Sequence, residues 1–259
     1  MPLTRPPPSS PTSLVECWRS AVALASLSDS EKARRWTPRR QYQADPVRYC
    51  HEVLGQRPWS AQRTIMQACA QERLVAVRGG KGWGKTRLLS WLYWWGQDCF
   101  EDTVTITTAT TWTQVAEQLW REIHQAMAAA RMKLPGRLLD TKHEIAEKWF
   151  GLGLSTKKPE SLAGFHASVR IAEKYQDRPD LWDEVSDDEF FGSVLDTVEA
   201  AQDAPRVRVI VDESSGIDER LWPALDGLLT NPGSSMVLVG NPTRLQGRHW
   251  DIFEGPLDG

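Results

Sequence analysis

Gly79, Gly84, Lys85 and Thr86 stand in the spacing G-x-x-x-x-G-K-T inside the stretch Leu74–Thr86, L-V-A-V-R-G-G-K-G-W-G-K-T. Each part of that pattern has a use in phosphate chemistry. Glycines at 79, 80, 82 and 84 let the backbone curl until its N–H groups point inward at phosphate oxygens. Lys85 sets a point charge against the β- and γ-phosphates, and the Thr86 hydroxyl can ligate Mg²⁺. Lys81, Trp83 and Arg87 complete the run expected to line the nucleotide. A second constellation is Asp212-Glu213, in which the aspartate can hold the magnesium shell and Glu213 can polarise a water. A third is Gly240-Asn241-Pro242-Thr243-Arg244, whose Asn241 amide could sense a γ-phosphate. Upstream, Gln62 offers both donor and acceptor to N6 and N7 of adenine, and Trp59 can stack on the base or simply pack. The chemistry is that of ATP with Mg²⁺, with Lys85, Glu213 and Asn241 as the residues expected to act on it.

Such groups work only if the chain brings them together. Leu74–Val77 is apolar without alternation, which predicts a strand buried on both faces. Arg87–Trp95 predicts a helix whose N-terminal dipole points at the phosphates. Thr103–Ala109 and Val207–Val211 are β-branched strands, with Asp212-Glu213 at the C-terminal end of the second. Met236–Val239 is the last clear strand, with Asn241 just past its end. In open α/β sheets ligands bind at that edge. Further helices are predicted at Asp45–Val53, after Ser60, from Thr113 to Ala130, and over Asp218–Leu229. Additional strands are expected at Glu147–Ser155 and around Val169–Ala172, and 131–146 reads as a loop.

The 259 residues suffice for one large α/β domain with appendages, and 41% hydrophobic with 25% charged residues describes an ordinary globular composition. The net charge of −3 is unevenly spread. Residues 171–205 hold eleven Asp/Glu against Lys174 and Arg178, a local −9 that leaves +6 for the remainder. Four separated cysteines show no metal-ligand spacing and imply a reducing compartment. No membrane segment is expected. Most of the thirteen tryptophans fall in helical patterns and are assigned to the core.

Residues 1–13 form a proline-rich tail with nothing to bury, predicted disordered. Leu14–Leu27 and Asp29–Trp36 read as short helices of an N-terminal extension reaching residue 44. Arg34, Arg35, Arg39 and Arg40 are either a solvated face or a nucleic-acid contact. His166 reads as a structural residue. In the acidic stretch, Leu181, Trp182, Val185, Phe190, Phe191, Val194, Leu195 and Val198 recur at helical spacing. That spacing predicts one or two amphipathic helices packed on the main body, with no readable chemistry.

In order and spacing, this set resembles the ATPase domain of a tailed-phage large terminase, over about Asp45 to Phe253. The resemblance rests on Asp45-Pro46, Pro58-Trp59…Gln62, Val75–Thr86, Thr108-Ala109-Thr110…Gln114-Val115, Ala163–Ala167, Val209–Glu213 and Gly240–Arg244 followed by Gly247. It implies a P-loop NTPase of RecA-like three-layer α/β type with a mostly parallel sheet, spanning 45–259. By position, Gln62 matches the adenine-binding glutamine, Gly79–Thr86 the Walker A loop, Asp212 the Walker B aspartate and Glu213 the catalytic carboxylate. Asn241 falls in the motif that couples hydrolysis to DNA movement. Lys81 stands where many terminases have arginine. Against the family pattern, residues 173–205 are an insertion, expected to dock on a protein or gate a channel and to be replaceable by a linker without loss of hydrolysis. The family's C-terminal nuclease is not matched by residues 1–259, so no DNA cleavage is expected from them.

The resemblance also implies double-stranded DNA, a portal protein and a small terminase subunit as partners. It further implies a homo-oligomeric ring at work and a virus-encoded protein in host cytoplasm, transiently at the procapsid portal. Arg220, Arg244 and Arg248 are the candidates to act in trans. Two other readings fit the motifs: half of a helicase-like DNA-dependent ATPase, and a nucleotide-gated scaffold that binds ATP without turnover.

Overall fold

The computed structural model describes residues 36–146, 148–155, 157, 184–241 and 246–255. The proline-rich tail, the helices predicted before Trp36, the strand predicted at 169–172, His166 and the 242–245 part of the Asn241 motif lie outside them.

Seven strands form one sheet: β1 (Leu74–Arg78), β2 (Thr103–Ala109), β3 (Arg137–Leu138), β4 (Lys142–Ala146), β5 (Trp149–Ser155), β6 (Arg206–Asp212) and β7 (Ser235–Gly240). Their spatial order is β1-β7-β6-β2-β5-β4-β3. The first five run parallel, and β4 and β3 are antiparallel at one edge. The last strand in sequence, β7, lies between the glycine-loop strand β1 and the Asp-Glu strand β6. Its register aligns Arg78 with Gly240 and Val239 with Asp212, so all three strands end at one edge. That placement makes a site possible.

Alternate residues of the parallel strands feed two cores, because successive side chains point to opposite faces. Ile210, Val237 and Val239 face one core with α1 (Pro46–Glu52), α2 (Ser60–Gln71), α3 (Lys85–Cys99) and α4 (Arg121–Ala129). Val209, Val211, Met236 and Leu238 face the other, with α5 (Asp187–Ala200) and α6 (Trp222–Leu228). Helix α7 (Arg248–Glu254) closes the described chain. The result is three layers.

Helix α3 is buried all round from Leu88 to Cys99, as expected of a central helix. Its tryptophans are core, as their spacing implied. Trp94 Nε1 donates to the Ile123 carbonyl and Trp95 Nε1 to that of Tyr42, both at 2.9 Å. Buried Asp98 accepts from Trp36 Nε1 and Tyr49 and pairs with Arg39. Burial raises the Asp98 pKa while the Arg39 charge opposes the shift. Arg40 pairs with Glu101 at 2.8 Å. Two arginines of the predicted basic cluster are therefore committed to carboxylates of their own chain.

Three sequence expectations need correction. Residues 137–146 are not all loop: β3 and β4 pair antiparallel, and the polar run Lys142-His143-Glu144 disguises β4 because its ring and charges find contacts inside the fold. His143 meets Tyr93 Oη at 3.1 Å and the Pro135 carbonyl at 2.8 Å, and Lys142 pairs with Glu144 at 2.5 Å. The strand predicted at Glu147–Ser155 is present as β5, Trp149–Ser155, the second arm of a hairpin with β4. The helix from Thr113 begins as a π-helical stretch, Gln114–Trp120. The helix expected from Asp218 starts as a 3₁₀ turn, Glu219–Leu221, and becomes α-helical at Trp222, where Pro223 sits in the first turn and needs no N–H partner.

The largest correction concerns the acidic stretch, of which 184–205 is described. It is helical, and Ser186 caps α5 by accepting from Glu189 N. It is no appendage, since Val185, Phe190, Phe191, Val194 and Val198 are buried in the core beneath β6 and β2. The acidic residues cover the solvent side of a helix whose other side the sheet requires. Phe190→Ala should therefore cost about 3–5 kcal/mol in urea unfolding. A Gly/Ser linker in place of 187–200 should abolish cooperative unfolding. A linker variant that unfolds cooperatively at wild-type stability would restore the appendage reading.

Candidate functional site

Residues 79–86 wrap the N-terminus of α3. Gly82 and Gly84 take φ values of +87° and +88°, open to glycine at little cost. A Cβ on Gly79 would lie 2.4 Å from Trp83 Nε1, so the indole lies directly against the loop backbone. Lys85 is 7% exposed, and its ammonium is surrounded by oxygens. Nζ donates to the carbonyls of Gly80 (3.0 Å) and Gly79 (3.4 Å) and to Asn241 Oδ1 (3.2 Å). Glu213 Oε1 stands 3.4 Å from it. Residues spread over more than 150 positions of sequence meet on one cation.

Thr86 Oγ1 donates to Asp212 Oδ2 at 2.9 Å, and the Glu213 amide donates to Asp212 Oδ1 at 2.9 Å. Burial raises the Asp212 pKa to about 6; the Thr86 hydrogen bond opposes the shift and the Glu213 charge adds to it. Among the described residues no three His, Cys, Asp or Glu side chains gather into a metal cage. A hydroxyl beside one carboxylate still suits Mg²⁺, a hard ion that takes one or two protein oxygens and completes its shell with phosphates and waters. Thr86 and Asp212 are the residues that would hold it.

Glu213 has φ +49°, a left-handed backbone that costs a non-glycine residue about 1–3 kcal/mol unless its surroundings enforce it. Here its carbonyl accepts from Thr110 Oγ1 (3.2 Å) and Gly216 N (3.0 Å). The twist separates the two carboxylates: Asp212 faces Thr86 and Glu213 faces Lys85.

Gln62 is 4% exposed and engages the loop from behind. Its Nε2 donates to the carbonyls of Gly84 (3.3 Å) and Trp83 (3.5 Å), and its Oε1 accepts from Trp59 N (3.2 Å). Trp59 stays 48% exposed, edge-on to Trp83 with ring centroids 6.4 Å apart. The structure thus brings Trp59, Gln62 and Trp83 together at one end of the loop. It does not gather every expected side chain. Lys81 is exposed, and Arg87 turns outward to Glu122 at 3.3 Å. Of the trans-acting candidates, Arg220 pairs with Asp218 and Asp188 and lies over Phe191, Arg248 pairs with Asp226, and Arg244 is outside the described residues.

Three participants escaped sequence reasoning: Thr110, Ser214 and His249. Thr110 was visible only as part of the Thr108–Val115 motif. Ser214 and His249 carried no signal of their own.

The comparisons agree with this geometry. Residues 62–246, from the loop-bracing glutamine to just past the Asn241 motif, match a family model described as an AAA domain. The chain belongs to that family. It is a P-loop nucleotide-binding domain of the ATPase and helicase type, and nothing in the match is specific to packaging. A comparison with curated proteins gives no match.

The raised pKa of Asp212 makes its ionised form a cost to the folded AAA domain. Above about pH 6 the carboxylate is ionised folded and unfolded alike and the cost is full; below the ordinary aspartate pKa both states are protonated and it vanishes. Asp212→Asn should therefore stabilise the protein by about 1–3 kcal/mol at pH 8, and the gain should shrink toward zero near pH 4. Urea titrations at the two pH values check it, and an Asn variant no more stable than wild type at pH 8 contradicts it.

Proposed function

We propose that this AAA domain hydrolyses ATP to drive double-stranded DNA into a viral procapsid, as the motor of a large-terminase-like protein. The observation that carries the reading is the convergence on Lys85. The carboxylate suited to activate water and the amide suited to report the γ-phosphate share one ammonium. A triphosphate entering the loop competes for that ammonium with Glu213 and Asn241 together. Nucleotide arrival thus reaches the residue that does the chemistry and the residue that leads into the following segment in one event.

In this reading the loop N–H groups and Lys85 hold the β- and γ-phosphates. Bound Mg²⁺ would neutralise charge on the phosphate oxygens. Glu213 orients a water and takes its proton as the water oxygen bonds to the γ-phosphorus and the bond to the β-phosphate oxygen breaks. Gln62 and Trp59 flank the side where adenine would lie. Portal and small-subunit partners, a working ring, a nuclease supplied by another segment or chain, and a host-cytoplasmic setting belong to the same proposal. The motif order supports it. A duplex-unwinding ATPase is the second reading, favoured by the helicase-type family match and the upstream glutamine.

Lys85→Ala should abolish binding of a fluorescent ATP analogue. Glu213→Gln should bind it normally and lose roughly 10²–10⁴ in kcat. Near-normal turnover in Glu213→Gln would sink the assignment. Packaging predicts that turnover is stimulated by blunt duplex and that a bound triplex strand is displaced without separation of the duplex. Release of single strands from the duplex favours the helicase instead. In an assembly with portal and nuclease, Asn241→Ala should hydrolyse ATP yet lose DNA movement out of proportion; equal losses would deny it a coupling role.

A further inference from the structure

The strained backbone of Glu213 has a support on the side away from Lys85. The next residue, Ser214, is buried, and its Oγ lies 2.8 Å from Nδ1 of buried His249. His249 Nε2 has no partner among the described residues, so this is the ring's single hydrogen bond. Both groups press on Gly240, the residue before Asn241. A Cβ there would stand 2.8 Å from Ser214 Oγ, 3.0 Å from Ser214 N and 3.2 Å from His249 Cε1. The turn after Glu213, the end of β7 and helix α7 therefore meet at one point, directly behind the Lys85 cluster.

Helix α7 reaches the other half of the site as well. Arg78, the residue before the glycine loop, pairs with Glu254 at 2.5 Å and lies over the Phe253 ring, which packs on His249 with centroids 5.2 Å apart. One short helix thus touches the residue before Gly79 and the residue after Glu213. Yet it makes no hydrogen bond to Lys85, Thr86 or Asp212. Of these contacts, the one through Ser214 leads to Glu213 without passing through Lys85, Thr86 or Asp212.

We infer that His249 is a positioning residue: through Ser214 it holds Glu213 in its left-handed conformation, so that docking of α7 sets the rate of hydrolysis and not the affinity for nucleotide. This rests on the hydrolase reading. A buried histidine that only filled space would, when removed, weaken binding and turnover together. A positioning histidine separates them.

The test uses the full chain with Mg²⁺ and ATP. His249→Ala and Ser214→Ala should each lower kcat about ten- to a hundredfold, the scale of a misplaced catalytic group. KM and the affinity for a fluorescent ATP analogue should stay within about twofold. The double variant should be no worse than either single, since both remove one hydrogen bond. His249→Asn, whose amide can occupy the Nδ1 position, should recover most of kcat; His249→Gln, which places its amide nearer Nε2, should not. Losses that add in the double variant, or an Asn variant no better than Ala, overturn the inference. Amide exchange gives a readout independent of turnover. The amides of Gly216 and Ile217, bonded to the carbonyls of Glu213 and Ser214, should exchange faster in His249→Ala. Wild-type protein that binds ATP but never hydrolyses it would end the hydrolase reading alone. Unchanged exchange in His249→Ala would end the positioning role whatever the outcome for hydrolysis.

Discussion

One ammonium group, Nζ of Lys85, is the contact on which the working edge of this AAA domain depends. A cation that is 7% exposed must be compensated by oxygens, because an unpaired buried charge costs several kcal/mol. Here the oxygens come from the glycine loop, from the end of β6 and from the end of β7. Those three segments can reach one point only because β7 lies between β1 and β6 in the sheet. The strand order and the electrostatics of the site are two aspects of one arrangement.

The same edge carries features that a purely structural edge would not keep. Asp212 is a buried carboxylate with a raised pKa, and Glu213 holds a left-handed backbone without being glycine. Each costs stability. Each is also held by specific partners: Thr86 for the carboxylate, Thr110 and the Ser214–Gly216 turn for the backbone. Strain held by several independent contacts is a mark of sites where geometry matters more than stability.

Away from the edge, the domain relies on burial of large side chains. Helix α3 presents no solvent face along most of its length, and the indole N–H groups of Trp94 and Trp95 are spent on carbonyls of neighbouring segments. On the opposite face of the sheet α5 is divided by character. Acidic residues meet water while Phe190, Val194 and Val198 complete the core. Local charge says which side of a helix is wet. It says nothing of whether the dry side is needed.

The sequence by itself determined the local chemistry. The glycine loop, its lysine and threonine, and the Asp-Glu pair after a strand are legible because the backbone geometry and the phosphate contact each admit few residue types. Met236–Val239 is legible for a related reason, since burial on both faces leaves an unbroken apolar run. Leu74–Val77 has the same run, but β1 is an edge strand and Leu74 is exposed, so the expected burial on both faces fails there. Tertiary structure decided what depends on distant partners. The β3–β4 edge was hidden because Lys142 and His143 look solvated until the fold sets Glu144 beside the one and Tyr93 and the Pro135 carbonyl beside the other. Gln62 reads in sequence as a base-recognition residue, and in the fold its amide also braces the loop that holds the phosphates. Ser214 and His249 are 35 residues apart and ordinary in type. They matter because Gly240 lacks a side chain between them, and only the packed sheet brings that gap to both.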